Sequence, residues 1–321
     1  MTLFVELNML GITCVGAILL SQAWPATRAV RLRNALLVEP STAADFDWAP
    51  PQFPPGFRNE RLAPSATFAA VVKALGIDRI EGDWQKALAL AGHLVERAED
   101  KGAIRSDLDN AYRAIRDGYG YCADFARVYL ALAHAAGLTA RQWSFSFNGF
   151  GGHGHVVIEV YDRQRGKWLF IDVYNNFHAV DETTSEPLSA LEFRDEILGR
   201  RSPAAMRPNG PGRPGYVHDL KAREYYGRGA REWYLLWGND VFTYESHSLV
   251  KWTARASSGL GRLVATVLGV HPRIRILESD DNSAEVGSIM RLKRRLQWLM
   301  LAFAALVVAF ALHLAGAAPF A

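Results

Sequence analysis

The sequence is poor in cysteine. Only Cys14 and Cys122 occur in 321 residues, which excludes a disulfide-stapled scaffold and means each thiol has to be explained singly. It also lacks a charge excess. The 36 Lys and Arg stand against 33 Asp and Glu, a net of +3, too even for nucleic acid to be the main partner. No internal repeat is visible. No basic residue precedes Arg28, so the chain does not open with the positive charge usual in a secretory signal. What is not scarce is apolar character. Half the residues are hydrophobic and a fifth charged, which excludes a wholly disordered or collagen-like chain and allows a sizeable core. The length suits one large domain or two modest ones.

Both ends are apolar. Trp298 to Ala318 carries one clearly polar side chain, His313, and spans roughly 30 Å as a helix, the thickness of a bilayer core. Arg291, Lys293, Arg294 and Arg295 form a basic collar before it and nothing basic follows. Leu3 to Leu20 is weaker, interrupted by Glu6, Asn8 and Thr13, and is followed by Arg28, Arg31 and Arg33. The charge rule then puts both termini outside and the central ~260 residues in the cytoplasm. The rival expectation is a signal segment cleaved after Ala23, with the central domain periplasmic or extracellular. Two spanning helices can pair with each other or with a membrane-protein partner, and the collars can also touch anionic lipid. Cys14 reads as a small apolar filler of the first helix.

The expected organisation is a transmembrane helix or signal segment at 1–23, a Pro-rich linker or strap at 40–64 and a domain at 65–200. A Pro/Gly loop with an aromatic-rich extension follows at 201–290, and a transmembrane helix at 296–318. Within the domain, Trp84, Ala87, Leu88, Ala91, Leu94 and Val95 recur at helical spacing within Glu81 to Glu99. Ser106-Asp107-Leu108-Asp109 resembles a capping box opening a helix that runs to Asp117. Cys122 follows the break Gly118-Tyr119-Gly120-Tyr121 and opens a helix that Gly137 ends. Arg141 to Phe147, His155 to Tyr161 and Lys167 to Val173 read as strands. Helices followed by an antiparallel meander give an α+β class. Leu260 to Ile276 is too short to span and reads as a core helix or a membrane-surface segment.

Cys122 stands in the first turn of a helix, where backbone N–H groups and the dipole stabilise a thiolate. A nucleophile needs a base, and His155 at the start of a strand is rigidly mounted; the base needs an orienter. A hairpin turn centred between Arg163 and Gln164 puts Asp172 opposite His155 across one rung. The other chemistry-bearing residues have quieter readings. His153 is an alternative base in a poorly orienting glycine loop. His153, His155 and His178 lack the spacing of a metal site. Asp124 suits the helix dipole, Glu159 is a buried ion-pair partner or structural acid, Trp143 and Trp168 are core, and Asn175 and Asn176 are turn residues. The Cys122 N–H is the natural oxyanion donor, with Tyr119 a candidate for the second.

Three segments in this order carry a resemblance: Gly118-Tyr119-Gly120-Tyr121-Cys122-Ala123-Asp124-Phe125-Ala126, Gly154-His155-Val156-Val157-Ile158-Glu159-Val160 and Lys167-Trp168-Leu169-Phe170-Ile171-Asp172. Together, over roughly Glu81 to Asn176, the chain resembles the transglutaminase-like superfamily. The resemblance implies a papain-like fold with helices on an antiparallel sheet, with Cys122 as nucleophile, His155 as base and then acid, and Asp172 as orienter. It implies no cofactor, and a protein or peptide substrate. The family often has Asp-Pro-Thr at the third motif; here it is Asp172-Val173-Tyr174, which leaves the substrate class open. The expected activity is thiolate attack on an amide carbonyl, hydrolytic by preference, with transamidation the alternative. A reading of a different class keeps the fold as a membrane-tethered binding scaffold whose site is closed, with the Pro/Gly stretch at 202–215 as its cover.

Overall fold

In a computed structural model of the chain, the described residues are 3–22, 26–99, 101–104, 106–216, 218–256 and 258–317. Ala23, the expected cleavage position, and Ala318, the expected end of the last span, lie outside them.

The chain begins with helices α1 (Leu3–Gln22) and α2 (Ala26–Leu37) and a short strand β1 (Val38–Glu39). Helices α3 (Ala66–Ala74), α4 (Asp83–Val95), α5 (Leu108–Arg116) and α6 (Cys122–Ala135) follow. Then come β2 (Ala140–Ser146), β3 (Gly154–Asp162), β4 (Lys167–Ile171) and β5 (Phe177–Asp181), α7 (Ala190–Ile197) and β6 (Ala204–Pro208). The rest comprises α8 (Asp219–Gly229), β7 (Trp233–Leu236), α9 (Val241–Ser246), α10 (Ser248–Ala256), α11 (Ser258–Val267), β8 (Ile274–Ile276) and α12 (Ser283–Ala317). The fold is α+β, as the alternation of periods suggested.

The main sheet has the order β1-β8-β7-β2-β3-β4, antiparallel except where β1 meets β8, and β5 pairs with β6 apart from it. Its middle pair is β7 against β2. The aromatic-rich residues after 200 are therefore built into the same sheet as the residues before it. The apolar alternation in Trp233-Tyr234-Leu235 is what places them there: Trp233 and Leu235 join Trp143 on one side, while Tyr234 faces Phe150 and Ile274. The Pro/Gly stretch expected as a loop contains β6, which pairs with β5 from Phe177↔Pro208 to Asp181↔Ala204.

Three apolar clusters result. Helices α3 to α6 bury Phe68, Trp84, Leu94, Phe125, Tyr129 and Leu132 against Ile158, Val160 and Leu169 of the sheet. The other face holds Trp143, Phe145, Val157, Phe170 and Trp233 beneath α7 and α8, with Phe46 and Phe57 of the Pro-rich stretch strapped over it. A third cluster joins α2, β8 and the base of α12 through Ala35, Val38, Phe150, Ile274, Val286 and Ile289.

Polar hubs fix the seams. Glu159 is fully buried and accepts from Arg141 Nε at 2.7 Å, Trp143 Nε1 at 2.6 Å and the Ala190 N–H at 2.7 Å. That settles it as an ion-pair partner. Asp124 caps α6 by accepting from the Tyr121 N–H at 3.0 Å, and Asp107 caps α5 by accepting from the Asn110 N–H at 2.9 Å. Above the base of α12, a stretch of mean hydropathy 2.3 within Asp280–Ala315, none of it buried, is long and apolar enough to cross a membrane. Helix α1 is shorter in apolar length, Val5–Ile18, and lies along it, with Gly11 facing Leu306 and Gly16 facing Phe303.

Candidate active site

Cys122 is the first residue of α6 and is half-buried. The turn before it runs through Gly120 at φ 112°, a conformation open to glycine and strained for other residues. A Cβ there would stand 3.2 Å from both Ile104 and Phe125. That turn lets the chain enter the helix with its first N–H groups, which have no helical acceptor, beside the thiol. His155 is the second residue of β3 and pairs with Phe145 of β2. It is buried, and its Nε2 lies 2.6 Å from Asp172 Oδ2. With Nε2 so committed, Nδ1 is the ring nitrogen left to face Cys122, whose side chain lies near enough to help raise the imidazolium. The three residues the sequence singled out are thus brought together.

The route by which Asp172 arrives differs from the expected rung. The ladder pairs Ile158 with Ile171 and Glu159 with Phe170, so the hairpin centres between Gln164 and Arg165, one residue later than expected. Extended by one step, this register sets Asp172 opposite Val157. His155 is two residues along the same face, and the contact is diagonal. The β4 ladder ends at Ile171. Asp172 turns instead into a bridge with Phe177, its N–H donating to the Phe177 carbonyl at 2.9 Å. The two extra residues in the turn are held by Asp162 Oδ1, which accepts from the Gln164 N–H at 2.8 Å, and by Asp83 of α4, which accepts from Arg163 Nε at 2.7 Å.

Asp172 has no exposed surface. Its Oδ1 accepts from the Asn175 N–H at 2.9 Å. Its Oδ2 accepts from His155, from Asn175 Nδ2 at 2.8 Å and from the Tyr226 hydroxyl. Its backbone carbonyl accepts from Asn209 Nδ2 at 2.9 Å. Burial by itself would raise the Asp172 carboxyl; the His155 charge beside it, then the bonds from His155, Tyr226 and the Asn175 N–H, outweigh burial and hold it below the usual range. Burial likewise works against a charged His155, but Asp172 and then Cys122 overcome it and carry the imidazolium up to about 10. The site therefore holds a carboxylate–imidazolium pair at neutral pH.

The turn that presents Asp172 is fastened by the Pro/Gly stretch. Asn176, at φ 54°, donates from Nδ2 to the carbonyls of Gly210 and Gly212, each at 3.0 Å, and accepts from the Gly210 N–H at 3.1 Å. The Gly215 N–H donates to the Asn175 carbonyl at 3.0 Å. Aromatic rings enclose the imidazole: Phe145 and Tyr225 at 5.7 Å, Tyr226 at 5.9 Å and Tyr174 at 6.1 Å between centroids.

The remaining candidates stand elsewhere. His153 is exposed in the glycine loop. His178 Nδ1 is 3.1 Å from Asn209 Oδ1. Among the described residues no three His, Cys, Asp or Glu side chains are grouped to hold a metal ion. Trp143 and Trp168 are core residues.

Compared with known families, residues 76–173 match the transglutaminase-like superfamily. The chain carries a transglutaminase-like domain. That match supports a cysteine hydrolase or acyltransferase class. A comparison with curated proteins finds no match. A crystal structure at 1.9 Å described as "a Putative Cysteine Protease from Cytophaga hutchinsonii" is 24% identical over 35% of this chain and 39% of its own, with a TM-score of 0.26, a likeness too partial to carry argument.

At the candidate site, sequence reading gave Asn175 only as a turn residue and missed Tyr226. Asn175 was legible in part, since an Asp followed three residues later by Asn is a turn pattern whose backbone bond sets the side chain beside the carboxylate. Tyr226 carried no signal. It lies 54 residues past Asp172, beyond the matched segment, and only the packing of α8 brings it in.

Proposed function

We propose that this protein is a membrane-anchored cysteine hydrolase acting on an amide bond of a protein or peptide. The observation that carries the reading is the Cys122–His155–Asp172 chain of contacts, closed at its far end by a buried carboxylate. The Cys122 thiolate adds to the amide carbonyl carbon, and the oxyanion is met by the Cys122 N–H in the first turn of α6. The His155 imidazolium gives its proton to the leaving amine as the C–N bond breaks, leaving a thioester. Neutral His155 then takes a proton from water, which attacks the thioester. Collapse of that intermediate expels the thiolate and releases the acid. Asp172 holds the imidazole in place and stabilises its charged form. An amine in place of water gives transamidation. Hydrolysis is preferred here on the resemblance to the superfamily.

The long apolar stretch of α12 supports anchoring, and the collar of Arg291, Lys293, Arg294 and Arg295 supports a cytoplasmic domain. The test is alkylation of Cys122 in the full chain in mild detergent, with Cys14→Ser throughout. Near neutral pH, His155→Ala should slow the reaction about tenfold or more. Equal rates in the two proteins would leave a closed or retired site and favour the scaffold reading.

A further inference from the structure

The Tyr226 hydroxyl and His155 Nε2 meet on one oxygen, Asp172 Oδ2. That carboxylate is wholly cut off from water, so its charge is shared only among its protein donors. Whatever one donor holds is withheld from the others. The Tyr226 ring is itself immobilised, with Phe193 at 5.1 Å, Phe145 at 5.3 Å and Phe177 at 5.7 Å between centroids. Its hydroxyl thus has a fixed aim that does not depend on the bond it makes. We infer that Tyr226 is a positioning residue that sets the pH range over which the Cys122–His155 pair reacts, by taking up Asp172 charge that would otherwise hold the His155 proton. The inference rests on the reading of Cys122 as the nucleophile.

The groups facing this pair come from four elements. Cys122 comes from the start of α6, and Asp172, Tyr174 and Asn175 from the turn after β4. Tyr216 comes from just after the Pro/Gly stretch, in which Arg213 lies over the Tyr174 ring at 5.4 Å; Tyr225, Tyr226 and Arg228 come from α8. Tyr216 and Tyr225 are pushed above the usual tyrosine range, chiefly by burial, so both stay neutral beside the carboxylate. Tyr226 lies well above it too, through burial and then the Asp172 charge, so it remains a donor throughout the working range.

The sign follows. Without the Tyr226 hydroxyl, Asp172 becomes a stronger base toward the Nε2 proton, and His155 stays charged to higher pH. The probe is iodoacetate, an anion that the imidazolium attracts, so its rate of reaction with Cys122 falls as His155 loses its proton. In the full chain carrying Cys14→Ser, Tyr226→Phe should move that alkaline fall upward by about one pH unit. 3-Fluorotyrosine installed at position 226 keeps the shape and strengthens the donor, and should move the fall downward. A purely structural role would lower the melting temperature or the overall rate and leave the fall in place. Should Tyr226→Phe not fold, the fluorotyrosine protein decides alone. An alkaline fall that stays at the wild-type pH in every variant that folds overturns the inference. If the wild-type rate is itself indifferent to His155→Ala, the nucleophile reading has failed instead.

Discussion

Replacing Glu159 tests whether the strand that carries His155 is held by a buried ion pair. Arg141 and Glu159 are 2% and 0% exposed in their side chains, and burial pushes the guanidinium below its usual range while Glu159 opposes that shift. The guanidinium sits 4.1 Å from the Trp168 ring centre and 5.3 Å from that of Trp48, so a lost carboxylate leaves the cation against apolar rings. Removing one partner of such a pair costs about 3–5 kcal/mol. Glu159→Ala also orphans the Trp143 Nε1–H and the Ala190 N–H, at about 1–3 kcal/mol each before overlap between the losses. The sum approaches the whole stability of a typical domain, so Glu159→Ala should not accumulate as folded protein. Glu159→Gln keeps an acceptor and loses the charge, and should cost about 3 kcal/mol. Adding Arg141→Met to it removes the stranded cation and should recover at least about 1 kcal/mol. The assay is urea unfolding in mild detergent followed by tryptophan fluorescence, since Trp48, Trp143 and Trp168 surround the pair. A loss below about 1 kcal/mol for Glu159→Gln, or a double variant no better than the single, would falsify the assignment.

Asp172→Asn should cut amide hydrolysis by about a thousandfold or more while Cys122 stays alkylatable, read by turnover and labelling on one sample. The His155 proton is bound more tightly folded than unfolded, so its stabilisation is complete below about pH 6.5 and is lost as pH rises towards 10. The gap in unfolding free energy between the wild type and His155→Ala should therefore narrow over that window, and a gap that widens there contradicts the pairing. A Cβ on Gly215 would meet Asn175 Cα at 2.4 Å, so Gly215→Ala should displace the Asp172 turn and slow Cys122 alkylation. An unchanged rate would show that the Pro/Gly stretch does not brace the site. Finally, a chain lacking α1 and ending before Trp298 should leave the membrane fraction, and phosphatase activity from a fusion at residue 40 would refute the cytoplasmic placement.

How far the sequence could be read depended on whether a feature was local. Helix α6 and its cap follow from the Gly118 to Tyr121 break and the apolar spacing after it. Strands β2 to β4 follow from alternation between adjacent turns. Cys122, His155 and Asp172 were legible because a helix start and a hairpin constrain them. The rung was misjudged by two residues because the turn length depends on Asp83, which is 80 residues away from Arg163 in the chain. The place of β7 between β2 and β8, the brace at Asn176 and the Tyr226 bond depend on contacts between distant segments. No periodicity announces those.

The parallel β1–β8 pair has a consequence for when the protein is finished. Val38 meets Ile274 and Glu39 meets Arg275, so one edge of the sheet is completed by a strand that follows α2 and one that precedes α12. A loop of more than two hundred residues has to close before that contact forms, and such long-range closures come late in folding. During synthesis, Cys122, His155 and Asp172 are all made before β7, Tyr226 and β8 exist. A nascent chain therefore carries its thiol without the central strand and the hydroxyl that complete the surroundings of Asp172. The order of the segments delays assembly of the site until Tyr226, 54 residues beyond Asp172, has been made.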